Sequence, residues 1–265
     1  MMELEAFYTA VLYCMTALFG LCIGSFLNVV IYRVPENMSI AMPPSHCPKC
    51  GYQLKPYDNI PVLSYLILGG KCRKCRESIS PRYMIVELTN ALLWILSLVC
   101  FGEESLLYAF LAAAALSVSI CIFFIDLETM LIFDRFQIIL AVLGVAASFC
   151  DPYEKPLSHL IGALAAGGSF LLLAIIAKKI LGRDALGGGD IKLAAGIGLF
   201  LGWRRALLTV LLASLTASIV LLLAARRNGD EKGKEYPFGP FLTAGFAFAI
   251  FLGEPIITWY LSLIL

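Results

Sequence analysis

The sequence predicts an all-α polytopic membrane protein with about eight transmembrane helices and one small cytoplasmic insertion. Three observations lead there. Apolar residues are 60% of the 265 while charged residues are only 15%, against roughly 25% in ordinary soluble domains. The apolar residues fall in runs near the ~20 residues that a spanning helix needs. The basic residues collect on one side of those runs, as the positive-inside rule requires.

In chain order, apolar runs lie near 6–31, 83–101, 106–125, 135–150, 157–177, 191–203, 206–225 and 238–265. The opening MMELEAFYTAVLY has two acids and no Lys or Arg. It lacks the basic start of a cleaved signal peptide and reads as the first spanning helix. The 191–203 run is short and Gly-rich, and Gly253-Glu254-Pro255 interrupts the last one, which reads as one broken helix or a helix plus a partial one. With the N-terminus outside, 17 of the 20 Lys and Arg fall in inner segments, leaving Lys155, Arg204 and Arg205 outside. The expected organisation is a first helix at 1–32, a cytoplasmic module at 33–82 and a helical membrane domain at 83–265. RRNGDEKGKEYP reads as a flexible polar loop. A net charge of +1 gives no basic field for nucleic acid.

Four of the nine cysteines have metal spacing, Cys47-x2-Cys50 and Cys72-x2-Cys75. Two close pairs about twenty residues apart describe a tetrahedral four-cysteine zinc site. Gly51 follows the first pair, where the turn needs room, and Lys49, Arg73 and Lys74 would offset the thiolate charge. His46 is a solvent-facing neighbour. Four thiolates leave no open position, so the ion is structural and the cytoplasmic insertion is zinc-binding. Cys14, Cys22, Cys100, Cys121 and Cys150 lie in or beside apolar runs and read as small apolar residues.

Two acids stand out against this apolar background. Asp126 ends the run LAAAALSVSICIFFI, and Asp190 follows Gly187, Gly188 and Gly189. A charge at membrane depth costs about 2.5–3.5 kcal/mol even on the lenient insertion scale. Both fall at inner helix ends under a topology assigned from basic residues alone. Two carboxylates that share one proton can activate water while hydrogen-bonding a scissile carbonyl. The three glycines would let a substrate backbone lie close. The competing reading is an interhelical loop ending in an N-capping Asp190. GGGD lacks the GK[ST] ending of a phosphate loop. Asp134, eight residues after Asp126, is the alternative first carboxylate, with Arg135 beside it; Glu128 reads as solvent-facing. Lys192 either steers an acidic substrate residue or anchors the helix end.

In their order and spacing, GSFLNVVIYRVP, CPKC, CRKC, ISPRYMIVELT, IDLETMLIFD, GGGDIKL and PFGPFL resemble the bacterial type IV prepilin peptidases, which belong with the GxGD aspartyl membrane proteases. The resemblance implies an enzyme of the bacterial cytoplasmic (inner) membrane. Its catalytic pair would be Asp126 and Asp190, and its zinc ligands Cys47, Cys50, Cys72 and Cys75. Its substrates would be type IV prepilins or pseudopilins, cut at the cytoplasmic face, typically after Gly. It also implies N-methylation of the new terminus with S-adenosylmethionine. The family's first aspartate motif usually ends in Pro-Asp; here Phe133 precedes Asp134. For methylation, Arg33 and Glu87 are candidates, and a buried Arg–Glu pair holding two helices is their alternative. No Gly fingerprint of a Rossmann cofactor domain is present. Expected partners are the pilin precursor and the lipid bilayer, with no nucleic acid; no residue pattern fixes an oligomeric state. Two rival readings stand beside this one: an ion-coupled transporter with a structural zinc module, and a zinc-dependent scaffold without chemistry.

Overall fold

Each long apolar run becomes a helix, because a backbone among apolar side chains must satisfy its own N–H and C=O groups. The computed structural model describes residues 2–182, 186–228 and 236–264; part of the RRNGDEKGKEYP segment lies outside them. The chain divides into two compact units, Met1–Glu103 and Glu104–Leu265.

In the first unit, α1 (Met2–Arg33) and α3 (Arg82–Phe101) run antiparallel. The Asn90 amide donates to the Gly20 carbonyl at 2.7 Å and the Asn28 amide to the Tyr83 carbonyl at 3.0 Å. Such side-chain amides hold apolar helices together where little hydrophobic drive separates helix from lipid. Between α1 and α3 lies the cysteine segment. It contains a 3₁₀ turn at Pro56–Asp58 and the short helix α2 (Leu63–Ile67).

The second unit is a bundle of α4 (Leu106–Thr129), α5 (Asp134–Ser148), α6 (Pro156–Leu181), α7 (Gly188–Leu201), α8 (Trp203–Asn228) and α9 (Gly239–Ser262). Side-chain and glycine contacts fix the directions. Gly144 of α5 meets Phe200 of α7, while Gln137 of α5 bonds Gly189, so α5 and α7 run parallel. Gly162 of α6 meets Gly198, and Gly167 meets Ala195, so α6 opposes α7. Asp126 near the end of α4 meets Gly239 at the start of α9. The bundle therefore has two distinct ends. One gathers Asp126, Asp190 and Gly239; the other gathers Tyr108, Asp151, His159 and Arg205. Between them the fill is apolar: Ile122, Leu193, Ile197, Phe200 and Phe246 are buried, with Phe246 edge-on to Phe200 at 5.5 Å.

Among the described residues, six helices are long and apolar enough to cross a membrane. The sequence expectation was eight. The difference is α5 and α7, of 15 and 14 residues. At 1.5 Å per residue they fall short of a hydrocarbon core of ~30 Å. The last apolar run is one helix, continuous through Pro255.

The α6–α7 crossing brings two backbones into contact. A Cβ on Gly162 would lie 2.5 Å from the Gly198 carbonyl oxygen, and one on Gly198 would strike the Gly162 carbonyl. Gly198→Ala is accordingly expected to destabilise the bundle by about 1–3 kcal/mol or more, read as a lower unfolding midpoint in detergent. Gly168→Ala, where a Cβ meets nothing within 4 Å, is expected to leave the midpoint unchanged.

The far end was misjudged from the sequence. Arg205, counted there among outer-loop cations, is fully buried. Its Nε donates to the Leu201 carbonyl at 2.9 Å and its Nη1 to the Tyr108 hydroxyl at 3.1 Å. Its Nη2 pairs with Asp151. His159, also fully buried, lies 3.4 Å from the Asp151 carboxylate through Nε2 and 3.0 Å from the Leu199 carbonyl through Nδ1. Burial opposes the charge on Asp151, but His159 and Arg205, with the Tyr153 N–H, outweigh it and hold its carboxyl below the usual carboxylate range.

Candidate active site

Asp126 lies in the last turn of α4, which ends at Met130 in the left-handed conformation, φ 55°. It is buried, 4% exposed, and its Oδ2 accepts the Gly239 N–H at 2.9 Å. Gly239 opens α9, so this carboxylate sits where free N–H groups point out of a helix. Asp190 is the third residue of α7. Gly189, which precedes it, and Gly239, which holds Asp126, both pack against Ile132, and the Asp190 Oδ1 is buried without a hydrogen-bond partner among the described residues. The Gln137 amide donates to the Gly189 carbonyl at 3.1 Å, tying α5 to the turn before Asp190; its own Oε1 is likewise buried without a partner among the described residues. Gly187, Gly188 and Gly189 form the turn and first residues of α7, and Gly187 lies against the Asp190 carboxylate.

Asp134 stands apart from this pair. Its side chain is 65% exposed and bonds Lys192 Nζ at 2.6 Å. Lys192 is thus engaged by Asp134 across the α5 and α7 N-termini. Glu128 is exposed. Beside the site an open groove of about 490 Å³ is lined by Leu131, Ile132, Phe133, Asp134 and Arg135.

The cysteine segment in the first unit forms two matching knuckles. The Cys47 N–H bonds the Tyr52 carbonyl at 2.9 Å and the Cys72 N–H bonds the Glu77 carbonyl at 2.8 Å. The residue after each second cysteine takes positive φ, Gly51 at 68° and Arg76 at 60°, so the room expected at Gly51 is a left-handed turn. The sulfurs of Cys47, Cys50, Cys72 and Cys75 all lie within 4.8 Å of one another and could hold a metal ion. Of the three cations expected to offset the thiolate charge, Arg73 is engaged elsewhere. The backbone N–H groups of Cys75 and Lys74 bring the Cys72 thiol down to about 7. Arg73 instead bonds the buried Asp58 at 2.6 Å. Asp58 also accepts from Tyr52 and the Lys55 N–H, so it joins both knuckles. Burial disfavours its charge, but these donors win and hold the carboxyl below its ordinary value. His46 is exposed, its Nδ1 3.1 Å from the Pro44 carbonyl.

Arg33 and Glu87 are both buried but do not pair. Arg33 donates to the Ser39 and Pro43 carbonyls at 2.9 and 2.6 Å. Glu87 accepts the Val62 N–H at 2.7 Å, at a β-branched residue with φ 60°. Each carries the cysteine segment on its own helix, and the direct ion pair weighed from the sequence is replaced by these backbone bonds.

The Bacterial Peptidase A24 N-terminal domain matches residues 18–101, and the Type IV leader peptidase family matches residues 113–222. A prepilin leader peptidase/N-methyltransferase of Pseudomonas aeruginosa is 33% identical, over 93% of this chain and 92% of its own. The chain belongs to the type IV leader peptidase family. Proteins of the same description from Burkholderia pseudomallei (strain 1026b) and Myxococcus xanthus (strain DK1622) are 35% and 39% identical, covering 89% and 86% of this chain and 84% and 70% of their own. No solved structure matches it.

For a leader peptidase, the site holds three residues to which the sequence reading gave no role: Gly239, Gln137 and Ile132. Gly239 alone left a signal. Gly239-Pro240 marks a helix start, and a helix start is an anion site.

Proposed function

We propose that this protein is a membrane aspartyl endopeptidase that removes the leader of type IV prepilins or pseudopilins, typically after Gly, and then N-methylates the exposed terminus. The observation that supports the first step is the placement of Asp126 from α4 and Asp190 from α7 at one end of the bundle, where Ile132 packs against both Gly239, which holds Asp126, and Gly189, which precedes Asp190. Two like charges so placed share a proton, and the titration belongs to the pair. The ionised member takes a proton from water as it attacks and then gives that proton to the leaving amine; the other donates its proton to the carbonyl oxygen and takes it back as the tetrahedral intermediate collapses. The Gly239 N–H fixes the Asp126 carboxylate, and Gln137 holds the turn that presents Asp190. Gly187, Gly188, Gly189 and Lys192 line the approach as substrate-binding residues.

The basic residues support an eight-crossing topology with the N-terminus outside, α5 and α7 serving as short crossings among longer helices. The carboxylates then face the cytoplasm, where a basic leader stays while the apolar pilin segment remains in the bilayer. The four cysteines suit zinc. Bonds of ~2.3 Å in a tetrahedron put sulfurs ~3.8 Å apart, and Cys47 and Cys75 are separated by 3.8 Å. Zinc, when bound, supplies cross-linking rather than chemistry. Chelation is expected to abolish hydrogen-exchange protection across residues 45–79, with helices α4 to α9 retained; rapid loss of cleavage with that segment still protected would mean a catalytic ion.

S-adenosylmethionine, when bound, supplies the methyl group. Arg33 and Glu87 are the candidates for its site: Arg33 is bonded to the Ser39 and Pro43 carbonyls, and Glu87 to the Val62 N–H and the Ser25 side chain, so both also organise the segment. The test of the main reading is leader release from a synthetic prepilin segment by purified protein in detergent, followed by mass spectrometry. Absence of release, together with ion flux in reconstituted vesicles, would select the transporter.

A further inference from the structure

Ile132 stands between the two turns that carry the carboxylates. It belongs to the linker between Thr129 and Asp134, and is half-buried at the edge of the open groove. A Cβ on Gly189, the residue before Asp190, would lie 3.0 Å from Ile132 Cβ and 3.5 Å from its Cγ1 and Cδ1. A Cβ on Gly239, which holds Asp126, would lie 3.1 Å from Ile132 Cδ1. Ordinary carbon contacts are ~3.5–4.0 Å. One branched side chain therefore fills the space beside both acids up to the backbone.

That side chain is not free to yield. A β-branched residue has few χ1 choices. The linker is closed at its start by the Met130 N–H on the Asp126 carbonyl at 2.8 Å. Past its end, Asp134 bonds Lys192 at 2.6 Å and Gln137 bonds Gly189 at 3.1 Å. Both anchors lead to α7, so Ile132 and Asp190 keep a fixed relation.

A peptide cut here must bring its scissile carbonyl to both carboxyl groups. The Cα before that carbonyl is only ~1.5 Å further on, so its side chain enters the volume that Ile132 bounds. We propose that Ile132 is the specificity-determining residue for the position before the cut, a steric gauge that passes glycine and stops any side chain. The inference rests on the peptidase reading and names what sets its substrate preference. Neither Gly189 nor Gly239 plays this part: both make room, and Ile132 takes it up.

The experiment compares kcat/KM for two prepilin segments that differ only by Gly or Ala before the scissile bond. Wild type, Ile132→Val and Ile132→Ala are measured. Release of the Gly segment by wild type, and its loss in Asp190→Asn, establishes the activity separately; no release by wild type overturns the peptidase reading and this gauge with it. The Gly-over-Ala ratio is expected to fall by about tenfold or more in Ile132→Ala, through a gain on the Ala segment, with Ile132→Val between. A ratio unchanged within about twofold overturns the proposal. If Ile132→Ala does not fold, the Ile132→Val ratio decides alone, by the same criterion: a fall supports the gauge and constancy removes it.

Discussion

Leader release is expected to fall by about 10³–10⁴-fold when either Asp126 or Asp190 becomes Asn. The reason is chemical rather than structural. Asparagine keeps the size and a hydrogen-bonding end, so the Gly239 N–H still has an acceptor at position 126. What disappears is one titrating group of a pair that must be half-protonated. Unfolding midpoints should stay within about a degree of wild type, and the residual rate should lose its bell-shaped pH profile, because a single remaining carboxyl titrates once. Asp134→Asn is the discriminating control. That side chain is 65% exposed and bonded to Lys192, so less than a tenfold loss is expected. Near-normal release by Asp190→Asn, or a larger loss in Asp134→Asn than in Asp126→Asn, would reverse the assignment.

At the opposite end of the bundle, Arg205→Met is expected to cost about 3–5 kcal/mol. The substitution leaves Asp151 charged, buried and without its guanidinium. It also removes the donors on Tyr108 and Leu201. Arg205→Met with Asp151→Leu should recover most of the loss, because an apolar pair of similar volume replaces a desolvated ion pair at little net cost. The check is reversible unfolding in detergent or bicelles. Destabilisation in the double variant as large as in the single one would show that shape, not charge, is what matters there. The pH sign follows from Asp151. Its native carboxyl titrates below the unfolded value of about 3.9. The stability it contributes is present above that value and is lost as pH falls through the lower native one. Asp151→Asn should flatten the acid limb of the stability profile.

The helices were legible because a spanning segment has one strong signature, an unbroken apolar run. The expected 106–125 and 206–225 correspond to α4 (Leu106–Thr129) and α8 (Trp203–Asn228). Two of the eight expected crossings differ from the rest, because α5 and α7 carry the composition of spanning helices without the length. The two acids were legible as charges standing at the edges of apolar runs, and the four cysteines by spacing. Gly239 and Gln137 act through a backbone N–H and an amide, groups whose use depends on which helices meet. Ile132 is one aliphatic residue among many until two glycines are found against it. Arg205 misled because counting basic residues treats each as solvated. Arg33 and Glu87 misled for a related reason: opposite charges at two helix ends suggest each other, while backbone carbonyls and an N–H offered nearer partners.

The apolar fill between the two ends has a consequence for the cell as well as for folding. Ile122, Leu193, Ile197, Phe200 and Phe246 are buried between the carboxylates and Arg205. Hydrolysis needs water at one mouth, yet a wet path through the bundle would discharge the ion gradient on which a bacterium runs. A dry plug lets the enzyme drink from one compartment without short-circuiting two.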